Sequence, residues 1–176
     1  ASQGLRPVIS LMFVDFIAVC YDQIINQMAK MKYMFGGKVK LPLTVLVNAG
    51  AGTGMAAQHS QSLEALLCHI PGLKVVMPSM AADAKGLMTT AMREDNPVFM
   101  IMHKRCSGIR GNVSEGDVTV PLGSAAVVRE GSDATIVATA YMVHEALKVA
   151  DQLAQEGVEI EIIDPRCLQP LDMDTI

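Results

Sequence analysis

Leu41-Pro42-Leu43-Thr44-Val45-Leu46-Val47-Asn48-Ala49-Gly50-Ala51-Gly52-Thr53-Gly54-Met55-Ala56-Ala57-Gln58-His59-Ser60-Gln61 decides the fold. Its first seven residues are a short apolar run suited to a strand buried on both faces, as in a parallel sheet. Alternate glycines at 50, 52 and 54 then allow a tight loop that approaches a ligand closely. The loop opens onto His59, at what reads as the start of a helix running from about Ser60 to Cys68. A helix N-terminus disfavours positive charge, so an imidazole there is expected to stay neutral and open to proton traffic.

Residues 5–12 read as a buried strand. Ile17, Tyr21, Ile24, Met28 and Met31 recur at helical spacing over residues 15–35, until Gly36-Gly37 ends the run. On the other side, Leu73–Met77 is a strand closed by Pro78. A helix over 80–93 follows, with Ser79 as its cap and Asp83 in its first turn, and then a strand over 97–102. Strand and helix alternate, which predicts right-handed crossovers and a parallel sheet in an α/β fold. Residues 104–117 are polar with three glycines and read as a linker. Strands at 125–129 and 134–140, a helix over 141–156 and a strand over 158–164 begin a second α/β unit.

Composition narrows the function classes. Half of the chain is hydrophobic (51%) and the net charge is −4 with no basic cluster, so disorder and a cationic nucleic-acid face are both set aside. The longest apolar run, Leu11–Cys20, contains Asp15 and is too short to cross a bilayer. No leader pattern opens the chain, and both ends read as cut, so a fragment is expected. Cys20, Cys68, Cys106 and Cys167 are dispersed, as are His59, His69, His103 and His144, which favours buried reduced thiols over a zinc site.

His59 is the first candidate for chemistry, weighed against a locally hydrogen-bonded histidine, with Gln58 and Gln61 beside it. Ser60 reads as a helix cap, since no G-x-S-x-G elbow surrounds it. The glycine loop lacks the ending of a P-loop and the spacing of a dinucleotide site. Met12, Phe13 and Phe16 bridge the first strand and helix; periodicity favours core, whereas a strand's carboxyl end suits rings that stack on a heterocycle. Glu94-Asp95-Asn96-Pro97 puts two acids at a helix C-terminus, which either a bound cation or a solvated Asn-Pro turn accommodates.

Several motifs in order carry a family resemblance: Asp22-Gln23-Ile24-Ile25-Asn26-Gln27, Phe35-Gly36-Gly37, Ala57-Gln58-His59-Ser60-Gln61, Pro71-Gly72-Leu73-Lys74-Val75-Val76, Asp83-Ala84-Lys85-Gly86-Leu87, Asp95-Asn96-Pro97 and Asp164-Pro165-Arg166-Cys167-Leu168-Gln169-Pro170-Leu171-Asp172. The chain resembles the β subunit of the thiamine-diphosphate-dependent first component of 2-oxo acid dehydrogenase complexes. Within it the acetoin dehydrogenase branch is most similar, followed by the pyruvate enzyme. The resemblance implies a transketolase-like pyrimidine-binding domain over 1–103, a linker over 104–122 and the start of a transketolase C-terminal domain over 123–176.

It further implies an α₂β₂ heterotetramer whose α subunit holds the diphosphate and Mg²⁺, and which feeds a lipoyl-bearing acyltransferase. His59 matches the histidine facing substrate and lipoyl group, Phe16 the ring on the aminopyrimidine, and Met12 the same pocket. Potassium is implied near Leu43, Ala91, Met92, Glu94 and Asn96, mostly through backbone carbonyls. The cofactor-activating glutamate of the family falls upstream of Ala1. Ser10 and Met102 stand where acids are usual, and Asn48-Ala49-Gly50-Ala51 also departs from the pattern. The implied activity is decarboxylation of a 2-oxo acid, or cleavage of acetoin, with transfer to lipoamide. The rivals are a transketolase-type two-carbon transferase and an inactive structural subunit. A bacterial cytoplasm or a mitochondrial matrix is the expected location.

Overall fold

The computed structural model describes residues 1–176. Strand β1 (Val8–Phe13) leads into a 3-10 turn over Val14–Cys20, a π-turn over Gln23–Met28 and the short helix α1 (Met31–Met34). Strand β2 (Thr44–Ala49) is followed by a 3-10 turn at Ala57–His59, then α2 (Glu64–Cys68) and β3 (Lys74–Val76). Next come α3 (Ala81–Arg93) and β4 (Val98–His103). The remainder holds β5 (Ala126–Arg129), β6 (Ala134–Val137), α4 (Tyr141–Ala154), β7 (Ile160–Asp164) and β8 (Cys167–Gln169).

Two sheets result. The larger has the order β1-β2-β4-β3-β8, parallel except for β8, which runs antiparallel to β3. The smaller has the order β5-β7-β6, with β6 parallel and β5 antiparallel to β7. Side chains alternate across the large sheet, as strand geometry requires. Val45, Val47, Phe99 and Ile101 meet Val14, Ile17 and Leu67 on one face; Val76, Val98 and Met100 meet Leu87 and Ala91 of α3 on the other. Helices on both faces leave the strand ends as the open edge. Full burial of a side chain such as Phe99 contributes about 1.5–3 kcal/mol.

Four local expectations need correction. The helix expected over 15–35 is broken into 3-10, π and α pieces. Val14, Ile17, Val19, Ile24 and Ile25 are β-branched and weaken a regular helix, and the changes of pitch keep Val14, Ile17 and Ile24 inward. β1 is an edge strand with Val8 and Ile9 exposed, not a buried one. Ser79 does not cap α3: its hydroxyl is spent on the buried carboxylate of Asp164, and the cap position, Met80, has no side-chain bond. Ser60 does not cap a helix either. It donates to Ala56 O at 2.6 Å, and α2 begins only at Glu64.

Candidate active site at the carboxyl ends of the strands

Because β1, β2 and β4 are parallel, the segments leaving them share one edge, with Phe13 in register with Asn48 and Ala49 with His103. From β1 come Met12, Phe13 and Phe16. The register of β1 slips between Leu11 and Phe13, and Met12 is the extra residue, 67% exposed, with its carbonyl held by Asn48 Nδ2 at 2.9 Å. Such a slip re-aims a side chain out of the pleat. Phe16 follows on the 3-10 turn, 40% exposed.

The loop after β2 is closed at its base, where Gly50 N–H donates to Gln61 O at 2.9 Å. Gln61 N–H in turn donates to Asp15 Oδ1 at 3.1 Å, tying the loop to the segment after β1. Ala56 has φ 61° and ψ −175°, a region that glycine alone usually occupies. His59 N–H and the Ser60 hydroxyl both donate to its carbonyl, at 3.4 and 2.6 Å. This closure presents His59 edge-on to Phe13 at 4.6 Å and to Phe16 at 5.5 Å between ring centroids. The structure thus brings the side chains of His59 and Phe16 together at the strand ends. The helix-dipole argument for His59 fails, however, because the histidine lies in a 3-10 turn ahead of a five-residue helix.

β4 delivers His103 and Lys104. A Cβ on Gly50 would run into the His103 ring, and one on Gly52 would come within 2.8 Å of Arg105 Cδ. Both glycines have positive φ, so the loop requires them to clear its own protein neighbours. His103 Nδ1 accepts from Arg105 N–H at 3.2 Å, which puts the proton of the neutral ring on Nε2. Burial, then the charges of Arg105 and Lys104, push its pKa below the ordinary histidine value. His103 stacks on Tyr141 of α4 at 5.8 Å, and the Arg105 guanidinium lies 3.7 Å over the same ring while donating to its hydroxyl at 2.6 Å.

Two polar atoms here are shielded from solvent and have no hydrogen-bond partner, Lys104 Nζ and Asp15 Oδ2. The ammonium lies 5.3 Å over the Phe13 ring. A cation over a ring gains about 0.5–2 kcal/mol, whereas removing such an ion from water costs several. Asp15 is pushed up by burial, yet hydrogen bonds led by the Gln61 backbone hold its carboxyl below the ordinary range. Exposed Phe16 and Met12, with a histidine in contact with the Phe16 ring, fit a flat heteroaromatic cofactor.

The cation set behaves differently. Leu43 O accepts from Val98 N–H and Ala91 O from Glu94 N–H, while Arg6 Nη1 donates to Met92 O at 3.3 Å and Glu94 O at 3.0 Å. Lys74 pairs with Glu94 at 2.7 Å, Arg6 and Lys40 with Asp95 at 2.5 and 2.7 Å, and Lys32 donates to Asn96 Oδ1 at 2.8 Å. The chain's own cations relieve the charge conflict at the end of α3, and with Arg6 in place these five residues do not fit a metal ion. No three His, Cys, Asp or Glu side chains converge as a metal cluster.

Sequence reasoning singled out His59, Phe16 and Met12 but gave no role to His103, Lys104 or Asp15. The signal for the first two was positional: they directly follow the apolar run of β4, at the end of the sheet where ligands sit.

An open, largely parallel sheet covered by helices, with aromatic and ionisable side chains gathered at its carboxyl edge, defines a ligand-binding α/β domain of the doubly wound class. The chain belongs to the transketolase family: residues 1–108 match "Transketolase, pyrimidine binding domain" and residues 123–176 match "Transketolase, C-terminal domain". It is 52% identical over its whole length to the acetoin:2,6-dichlorophenolindophenol oxidoreductase subunit beta of Cupriavidus necator, and 52% identical to that of Bacillus subtilis, covering 52% of each. It is 42% identical over 98% of its length to the pyruvate dehydrogenase E1 component subunit beta of Bacillus subtilis, covering 54% of it. The chain therefore spans about half the length of these curated relatives. A solved structure, "Split gene transketolase, inactive beta4 tetramer", superposes with a TM-score of 0.79 at 28% identity, covering 98% of this chain and 53% of that one.

Proposed function

We propose that the chain is part of the β subunit of a thiamine-diphosphate-dependent dehydrogenase component. It would decarboxylate a 2-oxo acid or cleave acetoin, and pass the acyl or aldehyde unit to lipoamide on an acyltransferase. An α subunit completes the cofactor site in an α₂β₂ assembly and holds Mg²⁺ there. Within the chain, residues 1–103 are the pyrimidine-binding domain, 104–122 the linker and 123–176 the beginning of the C-terminal domain. A cytoplasmic location accords with the bacterial relatives. The contact of His59 with Phe16 at the strand ends carries this reading.

Thiamine diphosphate, when bound, supplies the nucleophilic carbon and electron sink needed to break a bond beside a carbonyl. Phe16 and Met12 present an exposed ring and thioether to a flat heterocycle. His59, edge-on to Phe13 and Phe16, carries or takes a proton at a ring nitrogen and orients the substrate oxygen. The loop closure through Gly50 and Gln61 fixes where that nitrogen stands.

Calorimetric titration of thiamine diphosphate into the full-length β chain mixed with its α subunit, alongside turnover of pyruvate and acetoin, tests this. His59→Ala should bind the cofactor as the wild type does and lose about 10²–10⁴-fold in kcat. Failure of the wild-type mixture to bind the cofactor would favour a purely structural subunit, and undiminished turnover by the variant would remove His59 from the chemistry.

A further inference from the structure

Residues 51–58 are exposed throughout, so the loop buries no side chain between its closure at Gly50 and the turn that bears His59. A loop of this kind keeps its shape only through what it rests on. Beneath it lie the residues leaving β4. The His103 ring packs on the Cα of Gly50, and Arg105 Cδ would stand 2.8 Å from a Cβ on Gly52. Both are gripped by Tyr141, the first residue of α4. Its ring stacks on His103 at 5.8 Å and 19° between planes, and it carries the Arg105 guanidinium at 3.7 Å. Arg105 Nη2 also donates to its hydroxyl at 2.6 Å. The first turn of α4 is itself anchored beside the large sheet. Ala140 is buried in the core that contains Val47 and Ile101, and Ser79 O accepts from His144 Nε2 at 2.9 Å.

We infer that Tyr141 is a positioning residue for His59: it holds His103 and Arg105 against Gly50 and Gly52, and so fixes the loop that sets the imidazole beside Phe16. This rests on the proposed function and gives the C-terminal part of the chain a share in the chemistry of the N-terminal part. The bonds from Gly50 to Gln61 and from Gln61 to Asp15 close the loop at its base but place no constraint on the stretch between. A planar, electron-rich ring serves both the imidazole and the guanidinium, which an aliphatic side chain does not. Misplacing a reacting group by about 1 Å costs about 10²-fold in rate, so a loosened loop is felt in kcat while the residues facing the cofactor stay in place.

The test uses the full-length β chain assembled with its α subunit, as wild type, Tyr141→Leu and Tyr141→Phe, each with and without His59→Ala. Hydrogen exchange in the peptide covering residues 50–61, measured without cofactor, reports the loop. Calorimetry gives the affinity for thiamine diphosphate, and turnover of pyruvate and acetoin gives kcat. Tyr141→Leu should speed exchange in that peptide, lower kcat by about 10–100-fold and leave cofactor affinity unchanged. Tyr141→Phe keeps the ring and should recover most of both losses. In the His59→Ala background Tyr141→Leu should lower kcat no further, because residues that act through one group are not additive. Unchanged exchange, unchanged kcat, or an equal loss of kcat with and without the imidazole overturns the assignment. Should Tyr141→Leu not fold, Arg105→Met, at an exposed position, loosens the same stack and is read by the same criteria. A wild type that binds no cofactor is a separate failure, that of the proposed function, and loop exchange still decides whether Tyr141 braces the glycines.

Discussion

Ala56 holds a backbone conformation that a side chain resists, and the two donors converging on its carbonyl come from His59 and Ser60. Strain of this kind is worth about 1–3 kcal/mol, while glycine costs about 0.5–1 kcal/mol in unfolded-state freedom. Relief outweighs entropy, so Ala56→Gly should stabilise the protein by roughly 0.5–2 kcal/mol in urea denaturation. A net loss would show that the turn is held without strain. At this scale His59 was legible in the sequence because alternate glycines and a strand end are local signals. Lys104 was not, since a lysine is solvated by default, and only the tertiary placement of Phe13 over it reveals otherwise. Ser60 misled for a related reason: one hydroxyl closes a turn or caps a helix equally well from sequence.

Among the elements, α3 shows how a helix can favour glycine at its centre. The segment before β5 lies against it, with Val120 N–H donating to Gly86 O at 3.3 Å and Thr90 Oγ1 donating to Val120 O at 2.8 Å. A Cβ on Gly86 would stand 2.6 Å from Val120 Cγ2 and 3.2 Å from Val120 N. Alanine gains about 1 kcal/mol in helix propensity, but overpacking against main chain costs about 1–3 kcal/mol. Gly86→Ala should therefore destabilise by up to about 2 kcal/mol, read as a lower urea midpoint with unchanged slope. A raised midpoint would mean that the strap shifts aside freely. The strands β2 and β4 and the helices α3 and α4 were legible because each has an unbroken apolar run or a full helical period. The segment 14–34 was not, because its periodic residues are largely β-branched, and spacing does not report the pitch at which they settle.

Over the whole molecule, the two sheets are joined through Arg166, between β7 and β8. Its guanidinium donates to Ser124 O at 3.0 Å, to Ala125 O at 2.8 Å and to Asp83 of α3 at 2.9 Å, while its own N–H reaches Asp164 Oδ1 at 2.9 Å. β8 then enters the first sheet beside β3, a pairing that three residues, Cys167–Gln169, gave no means of reading in advance. The Arg166–Asp83 pair is only 13% and 14% exposed, so Arg166→Met leaves a mostly buried carboxylate unpaired and should cost about 3–5 kcal/mol at neutral pH. Burial raises the Asp164 pKa, against the pull of Ser79 and the Arg166 N–H. As pH rises from the ordinary carboxyl value of 3.8, the unfolded chain sheds that proton first, so this group removes stability until its folded pKa is passed. The Arg166 N–H and guanidinium both hold the Asp164 pKa down, so without the guanidinium Asp164 keeps its proton to higher pH. The deficit of Arg166→Met should therefore be smaller at about pH 4.5 than at about pH 7. Chemical denaturation of both proteins at the two pH values decides it: an equal deficit at both would uncouple Arg166 from the titration of Asp164 and leave its bonds to Ser124, Ala125 and Asp83 as the whole of the latch.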